Sequence, residues 1–166
     1  MSVFVGILLF IAWAALVAIS DCARRHISNS VVVAGLAAAF GCAFLQCGPF
    51  GVSATQASVG ALIGLVVLLP FFALGVMGAA DVKVFAVLGA WCGMHALLGL
   101  WMAASLAAGV HALWLLITTR TRLAGLVRSH GATFELAGKS STPYGACLTV
   151  AASAWLVLQG LAGGLR

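Results

Sequence analysis

Three carboxylate side chains, Asp21, Asp81 and Glu135, are present among 166 residues, of which 64% are hydrophobic. Asp81 lies in the stretch VMGAADVK at positions 76–83, between two long apolar runs. An ionisable side chain is costly in lipid, so its presence there points to a functional role. Asp21 ends the first apolar run and is the residue that could share this role.

Two carboxylates in one low-dielectric pocket cannot both ionise easily, so they would share one proton. The ionised member can deprotonate a water that attacks a peptide carbonyl, and the protonated member can protonate the leaving nitrogen. The sequence has no GxSxG, HExxH, P-loop or dinucleotide fingerprint that would indicate other chemistry. Asp21 and Asp81 are therefore the candidate catalytic pair, and this chemistry requires no metal and no cofactor.

Simpler roles exist for the same charged residues. Asp81 at the start of a helix could be an N-cap or belong to an ion pathway. Asp21 could pair with Arg24 or Arg25 at the membrane interface. Lys83 is better explained as an anchor that extends its ammonium towards the interface than as a catalytic base.

Composition indicates the fold class. Only 7% of the residues are charged, against about 25% in soluble domains, and apolar runs of about 18 residues recur, as in membrane-spanning helices. The alternation typical of outer-membrane barrels is not seen. The prediction is an all-α polytopic membrane protein with about six transmembrane helices. The spans lie at about residues 2–20, 30–45, 56–76, 81–91, 96–118 and 143–161.

The basic residues predict the orientation. With the N-terminus outside, the cytoplasmic loops contain all but one of the basic side chains, namely Arg24, Arg25, Lys83, Arg120, Arg122, Arg128 and Lys139, while Arg166 lies outside. This asymmetry follows the positive-inside rule and explains the net charge of +5 better than nucleic-acid binding does. Because successive spans cross the membrane in opposite directions, the same orientation puts both aspartates near the cytoplasmic face. The fourth span is short and begins with a charge, so it must be buried in protein or line water.

The remaining polar and small residues have structural interpretations. The five cysteines, Cys22, Cys42, Cys47, Cys92 and Cys147, form no CxxC pair and are expected to be small core residues rather than a zinc site or a disulfide framework. His111 is expected to be a packed, hydrogen-bonded histidine, and Glu135 to be solvated. Gly60, Gly64 and Gly109 are expected to let helices approach closely.

Three short motifs together resemble the type IV prepilin peptidases, which are membrane aspartic proteases of the GxGD type. GAADVK at positions 78–83 is similar to their GxGDxK segment. Asp21, followed by RRHISN at positions 24–29, is similar to their first aspartate with its basic residue and Ile-Pro-Asn turn. PYG at positions 143–145 is similar to the segment that opens their last helix. Ala80 stands where the family has a glycine, and Ser28 where it has a proline.

The resemblance implies a single transmembrane peptidase domain over residues 1–166, without a separate soluble or methyltransferase domain, as in the short form that serves Flp-type pili. It implies an inner-membrane endopeptidase that cleaves pilin or pseudopilin precursors on the cytoplasmic side, alongside a pilus assembly machinery. Asp21 and Asp81 would be catalytic, and Gly78 and Lys83 would support the motif. The basic loop from Arg120 to Lys139 is expected to contact anionic headgroups of the bilayer.

Two other functions are kept open by the sequence. One is a non-catalytic membrane assembly partner of a pilus or secretion complex, for which the alanine at position 80 is the main argument. The other is a small ion-coupled transporter that uses Asp81, which the absence of paired half-helices in the sequence makes less favourable.

Overall fold

The structure, a computed structural model, describes residues 2–24, 27–75, 77–126 and 144–161. These residues form six helices and no strand, which confirms the all-α prediction for this part of the chain. The helices are α1 (Ser2–Arg24), α2 (Asn29–Phe44), α3 (Ala54–Ala73), α4 (Ala79–Cys92), α5 (Met94–Leu126) and α6 (Tyr144–Leu161).

Several helices are longer than the apolar pattern indicates. Helix α1 continues to Arg24, so Asp21 lies in its last turns and not in a polar loop. Helix α5 continues to Leu126, through residues that the sequence assigns to a polar loop. No proline interrupts either extension, and hydrophobicity marks only the part of a helix that meets lipid, so both helices run past their apolar segments. Gly93, with a φ of 74°, is the one residue between α4 and α5.

Helix α4 occupies the centre of the bundle. It contacts α2, α3, α5 and α6, and its residues Val82 and Val84 to Trp91 are buried. At 1.5 Å per residue its 14 residues cover about 21 Å of a hydrocarbon core of ~30 Å. The expectation that this short, polar-ended helix is buried in protein is therefore confirmed.

Glycines let α3 and α4 come into backbone contact. A Cβ added at Gly60 would collide with the carbonyl oxygen of Gly89, and one added at Gly64 would lie 2.8 Å from the carbonyl oxygen of Phe85. These two positions confirm the close-approach prediction. The prediction is wrong for Gly109, where a Cβ would meet nothing within 4 Å among the described residues.

Three helical segments are long and apolar enough to cross a membrane, namely Val3–Ala23, Ala54–Ala73 and Met94–His111. Helices α2 and α6 contain shorter apolar segments. Large apolar side chains such as Phe4, Leu62 and Leu106 point outward, each at least 62% exposed. A surface of this kind requires a lipid environment, so the chain is a membrane protein; its outward N-terminus stays a prediction.

Part of the charge pattern used for the orientation lies outside the described residues, namely Arg25, Arg128, Lys139 and Arg166. The same holds for four other residues named above or in the motifs: His26, Val76, Glu135 and Pro143. His130 also lies outside the described residues. The proposed headgroup contacts of the Arg120 to Lys139 loop fall largely in the same part and stay a prediction.

The α3–α4 contact can be tested with Gly60→Ala. The added methyl group overlaps a backbone carbonyl that cannot rotate away, so the helices must separate; overpacking of this kind costs about 1–3 kcal/mol. We expect the midpoint of thermal unfolding in detergent to fall by several degrees. Gly99→Ala in α5 is the matched control, because nothing lies within 4 Å of its Cβ, and it should leave the midpoint unchanged or slightly raised. Equal midpoints for the two variants would contradict the contact.

Candidate active site

Asp21 joins the first helix to the last one. It is 9% exposed, and its Oδ2 accepts a hydrogen bond of 2.8 Å from the backbone N–H of Ala146 in the first turn of α6. A buried carboxylate without donors would be strongly destabilising. The free amide groups at the start of α6 provide a donor for it.

Asp81 lies in the first turn of α4, two residues after the helix begins. The N-cap is Gly78, whose carbonyl oxygen accepts the Asp81 N–H at 3.1 Å. The interpretation of Asp81 as an N-cap is therefore wrong, and the side chain is available for other contacts. Its carboxylate interacts with the backbone amides of Gly78 and Gly145 and lies within electrostatic range of Asp21.

The two carboxylates thus lie within electrostatic range of each other, beside consecutive backbone amides of α6. Ala146 donates to Asp21, and Gly145 faces Asp81. The N-terminal ends of α4 and α6 both point towards this negative charge, and the partial positive charge of a helix N-terminus stabilises anions. The structure brings the two sequence-predicted aspartates together at one end of the bundle, as the parity of the spans predicts.

The start of α6 is held by its own side chains. Thr149, which is 1% exposed, donates its hydroxyl to the carbonyl oxygens of Gly145 at 3.2 Å and Ala146 at 3.0 Å. The hydroxyl of Tyr144 is 3.0 Å from that of Ser105 in α5. These contacts fix the turn whose amides hold the carboxylates.

Gly145 is a site residue that reasoning from charge alone did not identify. A Cβ at this position would lie 3.0 Å from Asp21 Oδ2 and 3.1 Å from Ile27 Cδ1, so a side chain there would require these two neighbours to shift by a few tenths of an ångström. The sequence contains one clue, the PYG segment at positions 143–145, but assigns it no role. Its role is visible only when α1 and α6 are seen in contact.

The two motif positions before Asp81 have different constraints. Gly78 has an ordinary φ of −75°, so its backbone does not require a glycine. A Cβ there would lie 3.3 Å from Asp81 Oδ2, and the absence of a side chain therefore leaves space beside the carboxylate. Ala80 lies in the regular first turn of α4. Its φ is not positive; among the described residues other than glycine only Gln46 has a positive φ. An alanine at position 80 therefore causes no backbone strain.

Lys83 connects α4 to α2. Its ammonium donates a hydrogen bond of 2.8 Å to Asn29 Oδ1 at the start of α2. The asparagine belongs to the polar segment that follows Asp21 in the sequence. Lys83 thereby joins α4, which carries Asp81, to the start of α2.

Other candidate groups do not extend the site. His111 is exposed and lies beside Trp114 with a ring-centroid separation of 6.3 Å, so the expectation that it is packed in the protein is wrong. Cys147 lies within electrostatic range of both aspartates and of Cys22. Within the described ranges, no group of three or more His, Cys, Asp or Glu residues is arranged to hold a metal ion.

Comparison with known proteins places the chain in a family. A sequence model described as the type IV leader peptidase family matches residues 8–113, which is more than half of the chain. The matched segment contains Asp21, Asp81 and Lys83 and ends before α6. No curated protein and no solved structure matches the chain. On the strength of the family match, the chain belongs to the type IV leader peptidase family.

Proposed function

We propose that this family member is an aspartic endopeptidase of the bacterial inner membrane that removes the leader peptide from type IV or Flp prepilins or pseudopilins. The observation that carries the proposal is that Asp21 and Asp81 lie within electrostatic range of each other, beside the backbone amides of Ala146 and Gly145. The family indicates a peptidase that acts on leader sequences; the aspartic mechanism rests on this pair of carboxylates.

In the proposed reaction the two carboxylates share one proton and act as a unit. The ionised carboxylate takes a proton from water while the resulting hydroxide adds to the scissile carbonyl carbon, and the protonated carboxylate gives its proton to the carbonyl oxygen. The tetrahedral diol then breaks its C–N bond. The carboxyl group that holds the proton from water gives it to the leaving nitrogen, and the other carboxylate takes one hydroxyl proton back from the diol, which restores the shared proton. The amides of Gly145 and Ala146 keep the carboxylates in place throughout and undergo no chemical change.

The cytoplasmic face is supported as the side of cleavage by helix parity and by charge. The end of α1 and the starts of α4 and α6 lie at the end of the bundle that contains the aspartates. The sequence has most of its arginines and lysines in the loops at this end, and such loops face the cytoplasm. A prepilin would place its basic leader there and its apolar helix in the surrounding lipid.

A non-catalytic assembly partner is the alternative function. Its main argument is Ala80, which replaces the motif glycine. Because Ala80 lies in regular helix without a positive φ, the substitution gives no physical reason for loss of activity. Cleavage assays therefore decide between the two functions.

The first prediction concerns Asp21→Asn and Asp81→Asn. Each should reduce cleavage of a co-expressed prepilin by about 10²- to 10⁴-fold or more, because an amide can neither take up the proton from water nor pass it on. An asparagine oxygen can still accept the Ala146 or Gly145 amide, so the protein should remain inserted and folded. The measurement is the size shift from precursor to mature pilin on a gel.

Glu135→Gln is the control, because it makes the same chemical change at the only other acidic residue of the chain. It should process the precursor normally. Normal processing by either aspartate variant would exclude the dyad. Lack of processing by the folded wild-type protein, with a substrate that a related peptidase cleaves, would favour the assembly role.

A second prediction concerns Gly145→Ala. The new methyl group would lie 3.0 Å from Asp21 Oδ2 and displace it slightly from the Ala146 amide. A displacement of about 1 Å in an active site can cost about 10²-fold in rate, so for this smaller shift we expect cleavage to fall by up to about 10-fold. The unfolding midpoint should change little. Gly41→Ala in α2, where a Cβ meets nothing within 4 Å, should cleave normally. An unchanged rate for Gly145→Ala would show that the amide contact does not serve catalysis.

A third prediction concerns orientation. In a cysteine-free variant, cysteines introduced at Arg24 and Arg128 should react with a membrane-impermeant maleimide only after the cytoplasmic side is opened. A cysteine at Thr55, an exposed residue at the opposite end of the bundle, should react in intact spheroplasts. The reverse pattern would overturn the proposed orientation without affecting the pairing of the aspartates.

A further inference from the structure

Helix α2 ends in a Schellman motif. The N–H of Cys47 donates to the carbonyl oxygen of Cys42, five residues earlier, at 2.9 Å, and Gln46 between them has a left-handed φ of 53°. In this motif the side chains of the two residues joined by the long hydrogen bond usually touch, and most often both are apolar. In this chain both are cysteines.

The two thiols are held in direct proximity and away from solvent. Cys42 is 3% and Cys47 6% exposed, and their side chains interact with each other. A disulfide requires α-carbons about 4.4–6.8 Å apart, and the hydrogen bond from the Cys47 N–H to the Cys42 carbonyl holds the two backbones in direct contact. The structure contains both as free thiols, and the end of α2 brings them together before any bond forms.

The pair lies at the end of the bundle opposite to the aspartates. The carbonyl of Cys47 approaches Gly6 near the start of α1 so closely that a Cβ there would collide with it. In the orientation proposed above this end faces the outside of the inner membrane, where disulfides form and persist. We propose that Cys42 and Cys47 form a structural disulfide in the mature protein, an inference that rests on the orientation in the proposed function but not on catalysis.

The bond would form by exchange with a disulfide-bearing oxidant of that compartment. The thiolate of one cysteine attacks the oxidant's disulfide and gives a mixed disulfide, releasing one thiolate of the oxidant. The thiolate of the second cysteine then displaces the oxidant's other sulfur and closes the Cys42–Cys47 bond. The protein loses two protons and two electrons, and the oxidant leaves as its dithiol. Exchange takes place before the helix end is packed, and burial then protects the bond from reductants.

The bond would fasten the outer loop to the bundle. It closes a ring that includes Gln46 and holds Cys47 against Gly6. Three residues further along the chain, Phe50 packs edge-on against Phe10, with ring centroids 5.3 Å apart. The sequence-based expectation of five unpaired core cysteines would then hold for neither Cys42 nor Cys47.

The test uses the full-length protein in its native membrane. Cells are lysed in a denaturant that contains N-ethylmaleimide, so that buried free thiols also react, and the protein is purified without reductant and digested for mass spectrometry. We expect the segment with Cys42 and Cys47 to be unalkylated and two hydrogens lighter, and to take up two alkyl groups only after reduction. Cys22, Cys92 and Cys147 should be alkylated at the first step. Full alkylation of Cys42 and Cys47 before reduction would overturn the proposal.

Stability supplies a second readout. Cys42→Ala, Cys47→Ala and the double variant should each lower the unfolding midpoint by about 5 °C, and the double variant by no more than either single one, because one change already removes the bond. Cys92→Ala is the matched control: it keeps the bond, so its midpoint should fall in reductant as the wild-type midpoint does, whereas the midpoints of the Cys42 and Cys47 variants should not. Additive losses that a reductant leaves unchanged would contradict the disulfide. Asp21→Asn should retain the bond even if cleavage fails, so the two proposals are tested separately.

Discussion

The hydrogen bond from the Ala146 amide to Asp21 is the contact on which the site depends. It joins residues 125 positions apart and brings the start of the last helix over the end of the first one. Without it, a carboxylate at 9% exposure would lack its donor, at a cost of about 1–3 kcal/mol or more. The same turn of α6 presents Gly145 to Asp81, so a single helix start holds both carboxylates. The negative charge of the pair thus lies at the N-terminal ends of two helices, whose partial positive charge stabilises it.

Burial of α4 is the second constraint, and the absence of side chains at two glycines of α3 makes it possible. A helix that begins with a carboxylate can lie at membrane depth only when protein surrounds it. Gly60 and Gly64 allow α3 to approach to backbone contact with Phe85 and Gly89, so four helices can close around α4. Lys83 closes the polar end by donating to Asn29 at 2.8 Å. The apolar packing of α4 and the placement of Asp81 are therefore consequences of one arrangement.

Sequence reasoning predicts the all-α fold, and it singles out Asp21 and Asp81 because the cost of charge in lipid makes them conspicuous among apolar residues; their catalytic role stays a prediction. It does not predict where helices end, since hydrophobicity reports contact with lipid and α5 continues to Leu126 beyond its apolar part. It also misses Gly145 and the contact between Cys42 and Cys47. Both depend on backbone geometry. Gly145 is important because α6 packs against α1, and the two cysteines are brought together by the left-handed backbone of Gln46. Neither feature changes the composition of the sequence or the spacing of its apolar residues.

The glycine motif before Asp81 acquires a physical meaning from these contacts. Space beside the carboxylates is needed on two sides, at Gly78, where a Cβ would lie 3.3 Å from Asp81 Oδ2, and at Gly145, where it would lie 3.0 Å from Asp21 Oδ2. Position 80 is the second residue of α4 and is half-buried against the core, so an alanine fits there. In the candidate site, the glycines with a clear spatial constraint are therefore those that face a carboxylate oxygen. Ala80 belongs to the helix that carries Asp81 and packs against the core of the bundle.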